Sequence, residues 1–180
     1  MRYVALLRAI NVSGQKIIKM EDLRRMFEMP GIKNISTYIQ SGNVLFDAPE
    51  QDDEKLRVKI EKQLLKQLGY AVEVFVRSAA EMAAIVENNP FAQTQSAHKT
   101  ATYVSFLSAA PNAAQVKDIE AQSFDMEQYR VVGRELYCRM IKDVERKEIF
   151  SNKLMEKKLG VTATTRNITS VTKLAVLLVG

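Results

Sequence analysis

Arg8, Asn11 and Lys16 fall within nine residues of one another in the stretch RAINVSGQK, and together they offer a guanidinium, an amide and an ammonium. Cations of this kind flanking a short loop that contains Ser13, Gly14 and Gln15 are suited to holding a carboxylate or a phosphate. A second polar cluster, Tyr38, Ser41 and Asn43, lies in TYIQSGNV, and a third, Thr165, Arg166 and Asn167, in ATTRN. The third reads as the start of the last helix. Exposed N–H groups and the helix dipole there favour an anion by about 0.3–1 kcal/mol, and Arg166 adds a solvent-facing cation.

Each cluster also has a plain structural explanation. Arg8 can pair with Asp47, Glu73 or another acid, since an arginine at the end of a buried strand is costly to leave alone. Asn11 and Asn43 can be turn residues, because asparagine bonds its own backbone and tolerates left-handed conformations. Thr164, Thr165 and Asn167 are good helix caps. His98, in a polar loop beside Lys99, reads as an exposed loop residue, with an acid/base role as the alternative. Cys138, in the strand Leu136 to Met140, reads as a small buried apolar group. One cysteine and one histidine exclude a disulfide framework and argue against a zinc site. The sequence carries no phosphate-loop lysine motif, no Gly-x-Gly-x-x-Gly after a strand and no Gly-x-Ser-x-Gly. No reaction, cofactor or metal is therefore assigned.

The elements that must position these residues follow from periodicity. Tyr3 to Ile10 is an apolar run broken only by Arg8, as in a strand buried on both faces. Met20, Leu23 and Phe27 recur at helical spacing until Pro30-Gly31, and Ile35 to Gln40 and Asn43 to Asp47 form a hairpin through Ser41-Gly42. Asp52 to Glu54 open a helix with Leu56, Ile60, Leu64 and Leu68 on its buried stripe and Gly69 at its end, and Val72, Val74 and Val76 give a fourth strand. The order β-α-β-β-α-β is the split βαβ of ferredoxin-like domains, and right-handed crossovers put the first strand between the third and the fourth, antiparallel to both. In the second half, a capping-box helix from Ser78 stops at Asn89-Pro90 and residues 92–98 form a loop. A strand from Thr100 to Leu107, a helix opened by Pro111 and a hairpin at Gly133-Arg134 follow. Two helices close it, one from Ser151 to Gly160 and one after Asn167; no closing strand is visible.

The chain has 180 residues, 47% hydrophobic, and carries 26 basic against 21 acidic side chains, for a net charge of +5. That composition belongs to a folded protein. The modest basic excess leaves small anions and nucleic acid open as partners without selecting either. No stretch approaches the roughly 18 apolar residues of a membrane span, no cleavable leader is evident, and a lone cysteine fits reducing cytoplasm.

Three segments in order, YVALLRAINVSG, TYIQSGNVLF and LGVTATTRNITSVTKLAVL, resemble the bacterial family called domain of unknown function 1697. Its members typically read LLRGINVGG, then YIQSGNV, then ATTRNW. Ala9 and Ser13 stand where the family usually has glycine, and Ile168 where it has tryptophan. These changes argue against very close backbone approach to a ligand and remove a stacking surface. The resemblance implies an α+β fold of paired ferredoxin-like halves, and no activity.

The expectation is thus two ferredoxin-like halves, residues 1–78 and 79–180, packed as one unit, the second ending in two helices. Arg8, Asn11, Lys16, Tyr38, Ser41, Asn43, Thr165, Arg166 and Asn167 are expected to line a polar cleft between them that binds a small anion. A nucleic-acid-binding module is the alternative, and a protein-interaction domain without a ligand the third reading.

Overall fold

The protein is described by a computed structural model covering residues 1–12, 16–49, 52–142 and 151–180. Ser13, Gly14 and Gln15 of the opening loop lie outside the described residues. Two compact units are present, Met1–Ala83 with Lys173–Gly180, and Ala84–Thr172.

In the first unit the apolar opening forms β1 (Arg2–Leu7), and Val4, Ala5 and Leu6 are fully buried, so neither face meets solvent. After α1 (Met20–Met26) come β2 (Lys33–Tyr38), β3 (Asn43–Asp47), α2 (Asp53–Leu68) and β4 (Val74–Ser78). The sheet order is β2-β3-β1-β4, with β1 antiparallel to β3 and β4, as the crossover argument expects. Helix α2 starts where the Asp52 side chain accepts from the Glu54 N–H at 2.9 Å and ends at left-handed Gly69. Its Leu56, Ile60 and Leu64 are fully buried against Tyr3, Ala5, Leu7, Val44, Phe46, Val74 and Val76, each contributing about 1.5–3 kcal/mol. The strand stops at Leu7, short of the apolar run. Ala9 has φ 54, and that left-handed step is incompatible with continuing the sheet.

The capping box at Ser78 forms as its sequence predicts: the Ser78 N–H donates to the Glu81 carboxylate at 2.8 Å and the Glu81 N–H to the Ser78 hydroxyl at 3.2 Å. Helix α3 (Ala79–Glu87) follows. The second unit then runs β5 (Thr100–Leu107), α4 (Ala113–Glu120), β6 (Glu127–Val132), β7 (Glu135–Ile141), α5 (Asn152–Leu159), β8 (Ala163–Asn167), and α6 (Ile168–Val179) begins in it. Its sheet, β6-β7-β5-β8, repeats the order of the first.

Strand β8 corrects the expectation that this half ends in two helices without a closing strand. Residues 163–167 pair antiparallel with β5, from Tyr103 opposite Asn167 to Leu107 opposite Ala163. The segment hides from periodicity because Ala163, Thr164 and Arg166 are all buried, so apolar and polar positions do not alternate by exposure. The threonines follow their β-branched preference and extend instead of capping. Asn167 alone caps α6, its side-chain oxygen accepting the Ser170 N–H at 2.7 Å.

Strand β6 is a sheet edge, yet its outward N–H groups are occupied from within: Glu127 donates to the Phe124 carbonyl (3.1 Å), Tyr129 to the Ser123 hydroxyl (2.9 Å) and Val131 to the Glu120 carboxylate (2.9 Å). On β7, Cys138 forms no disulfide and its thiol is fully buried in the apolar core with Leu136 and Met140, as expected. Tyr137, one residue away, is also buried and donates to the Ile85 carbonyl at 2.8 Å. Burial first, and then the Glu135 charge, push its phenol well above the ordinary range. The unfolded phenol ionises near pH 10 while the folded one keeps its proton, so stability falls as pH rises past about 10. Tyr137→Phe should cost about 1–2 kcal/mol at neutral pH, by leaving a buried carbonyl short of a donor, and flatten that alkaline decline. Urea denaturation at several pH values between 8 and 11 measures both effects.

Candidate functional site

Two loops of the first unit meet where β1 ends. The β1–α1 connection spans residues 8–19 and the β2–β3 turn residues 39–42. Asn11 ties them together. Its amide donates to the carbonyls of Ile18 (3.1 Å) and Gln40 (2.8 Å), its side-chain oxygen accepts the Ile18 N–H (2.7 Å), and its own N–H donates to the Lys16 carbonyl (3.2 Å). The Leu7 N–H donates to the Gly42 carbonyl at 2.8 Å, and Gly42 has φ 76. An added Cβ there would lie 2.6 Å from Ile10 Cδ1. Two of the three sequence segments that carried the family resemblance are therefore one interlocked structure.

Asn43, fully buried, donates to the Tyr38 carbonyl (3.0 Å) and the Ser41 hydroxyl (2.9 Å), so it fixes the turn, as the turn-residue explanation required. Arg8 pairs with Glu73 at 3.2 Å, with about a third of each side chain exposed. At that exposure the pair contributes about 0–1 kcal/mol. Lys16 is exposed, has φ 48 and holds its ammonium 5.1 Å from the Tyr70 ring centroid. Tyr38 is half-buried. Arg8, Asn11, Lys16, Tyr38, Ser41 and Asn43 thus belong to one edge, as strand order implied. Asn11→Ala should cost about 2 kcal/mol, since it removes three side-chain hydrogen bonds and puts alanine at φ 54. Thermal unfolding measures it, and Asn11→Asp should recover part of the loss through the Ile18 N–H.

Thr165, Arg166 and Asn167 belong to the second unit, and there the sequence reading needs correction. Arg166 is not a solvent-facing cation at a helix start. It is 8% exposed on β8, donates to the Thr164 hydroxyl and the Thr165 carbonyl at 2.9 Å each, and burial pulls its pKa down to about 10. Thr165 lies in a hydroxyl chain, 2.6 Å from the Ser105 hydroxyl and 2.6 Å from the Asn152 side-chain oxygen. These atoms serve strand and helix packing in their own unit.

The strain at the first unit's edge was not legible. Of the five non-glycine residues with positive φ among the described residues, Ala9, Asn11, Lys16 and Ile39 lie in these two loops, and Asn34 is the fifth. Asparagine adopts this conformation readily; a β-branched isoleucine does not. The second unit supplies an internal comparison. There the same strand-to-helix step takes only residues 108–112 and the hairpin only residues 133–134, with no positive φ except at Gly133 among the described residues. The topology alone does not require the longer, strained version.

His98 is exposed, its N–H donating to the Ser96 hydroxyl at 3.1 Å. No group of three histidine, cysteine, aspartate or glutamate residues among those described is placed to hold a metal ion. No helix among them is long and apolar enough to cross a membrane.

Fold and site define an α+β protein of two four-stranded antiparallel sheets with an elaborated loop edge on the first. The family described as "Protein of unknown function (DUF1697)" matches residues 1–137, and the chain belongs to it. A solved structure titled as conserved bacterial protein SP0830 from Streptococcus pneumoniae has the same fold, with a TM-score of 0.75 and 18% identity over 99% of this chain and 98% of that one. No curated protein matches the sequence at a significant level.

Proposed function

We propose that this member of the family binds a small anion, a carboxylate or phosphate, at the loop edge of its first unit, and that each unit is a ferredoxin-like split βαβ. The antiparallel orders β2-β3-β1-β4 and β6-β7-β5-β8 support the fold assignment. The binding reading rests on one observation: four non-glycine residues at positive φ, three of them strained (Ala9, Lys16 and Ile39), gathered in two loops that the second unit builds short and unstrained. Strain of this kind costs about 1–3 kcal/mol per residue and gathers at ligand clamps. Lys16 and Arg8 supply positive charge, Tyr38 and Ser41 supply hydroxyls, and Asn11 and Asn43 hold the loops in place. Thr165, Arg166 and Asn167 are left out, because Arg166 is buried and the side chains of Thr165 and Asn167 bond Ser105, Asn152 and Ser170 of the second unit. The buried thiol of Cys138 suits a reducing cytoplasm.

An RNA-recognition reading loses support from the same structure. Of Tyr3, Tyr38 and Phe46, the aromatics it would place on an open sheet face, Tyr3 and Phe46 stack at 5.8 Å in the core with 3% and 0% exposure, and Tyr38 is half-buried.

Thermal shift with inorganic phosphate and with acetate tests the proposal. A saturable rise is expected, equivalent to about 2.7 kcal/mol when the ligand reaches a hundredfold its Kd. Lys16→Gln should abolish it while moving the ligand-free melting point little, since an exposed cation–π contact contributes about 0.5–1 kcal/mol. No saturable shift, or the same shift in the variant, would refute it.

A further inference from the structure

The same edge exposes apolar side chains that an anion alone does not explain. Val12 is 57% exposed, Ile17 74% and Ile39 48%. All three lie next to Asn11 or to the residues it holds, Val12 following Asn11, Ile17 between Lys16 and Ile18, and Ile39 preceding Gln40. Isolated exposed hydrophobics are ordinary, whereas three on loops that one asparagine ties together call for an explanation. Ile39 is the more telling, because an exposed β-branched side chain at φ 50 is unfavourable on both counts. The charge around it is positive. Glu73 is engaged by Arg8, and Glu21 and Asp22 pair with Arg25 at 2.6 and 3.7 Å. Lys16 and Lys19, both exposed, have no acid partner among the described residues.

Resting on the anion-binding reading, we infer that the ligand of this edge is amphiphilic: a phosphate or carboxylate head at Lys16 and Lys19 and an alkyl chain lying over Val12, Ile17 and Ile39. Exposed aliphatics on the same loops as cations with no acid partner among the described residues complement such a molecule at both ends. A hydrophilic anion would leave the three side chains in water.

The test titrates the intact protein with inorganic phosphate, butyl phosphate and octyl phosphate, all below micelle-forming concentrations, with octyltrimethylammonium as the opposite-charge control. Each buried methylene tightens binding by up to about fourfold, so octyl phosphate should bind at least about tenfold tighter than inorganic phosphate, and the ammonium should not bind. Ile39→Asn should raise the ligand-free melting point, as asparagine accepts the left-handed backbone, while weakening octyl phosphate several-fold and leaving inorganic phosphate unchanged. Ile17→Ser should weaken octyl phosphate likewise without altering the fold. Equal affinity for phosphate and octyl phosphate overturns the inference and spares anion binding; binding of neither overturns both. Binding of the ammonium, or association with anionic phospholipid vesicles without binding of monomeric octyl phosphate, also overturns it.

Discussion

Replacing Arg166 by alanine is expected to lower the unfolding free energy by about 1–3 kcal/mol, the range for leaving buried hydrogen-bond acceptors unsatisfied. The guanidinium is 8% exposed and donates to Thr164 and Thr165. Alanine would leave both acceptors short of a donor and open a void the size of the lost side chain. The linkage has the sign of a depressed base. Burial lowers the folded pKa to about 10, whereas an unfolded arginine keeps its proton to about 12.5. In that interval the unfolded chain binds more protons, so Arg166 contributes a gain in stability as pH rises, and the alanine variant should lack it. Urea denaturation at pH 7 decides the main point: a loss under about 1 kcal/mol would mean that Arg166 is solvated.

Gly42→Ala is expected to cost about 3 kcal/mol for two independent reasons. At φ 76 a Cβ is unfavourable by about 1–2 kcal/mol in any surroundings. The new atom would also stand 2.6 and 2.8 Å from Ile10 Cδ1 and Cγ1 and 3.0 Å from Leu7 Cβ. Ile10 is 2% exposed and has little room to yield, so relief must come from moving the hairpin, at about 1–3 kcal/mol for overpacking. A second substitution, Ile10→Ala, separates the two. It removes the two closest contacts, so Gly42→Ala should cost less in that background, with the backbone term and the approach to Leu7 Cβ left. Unfolding of the four proteins of this cycle gives the coupling directly.

The strand order of the first unit was legible because its residues obey one rule at a time: Leu56, Ile60 and Leu64 keep helical spacing, and Gly69 ends the helix. The pairing of the two N-terminal segments was legible as well, from strand order alone. Arg166 misled because Thr-Thr-Arg-Asn satisfies the chemistry of a helix cap and of an edge strand equally. Pairing with β5, sixty residues earlier, decides between them. That contact is non-local and leaves no local trace. The left-handed backbones of Ala9, Lys16 and Ile39 were illegible for a different reason: nothing in an alanine, a lysine or an isoleucine signals positive φ. The typical family glycine at position 9 was read as room for a ligand, whereas φ 54 explains the preference through the backbone itself.

The occupied edge of β6 bears on how this chain behaves in a crowd of its own copies. An open sheet edge is a template, since a row of unsatisfied amides recruits another strand and growth can continue into a fibre. Along β6 the amides of Glu127, Tyr129 and Val131 are already held by Phe124 and Ser123 of the connection into the strand and by Glu120 at the end of α4. An incoming chain would have to displace three intramolecular bonds before forming its first intermolecular ones. The connection that leads into the strand thereby also blocks polymer growth along that side.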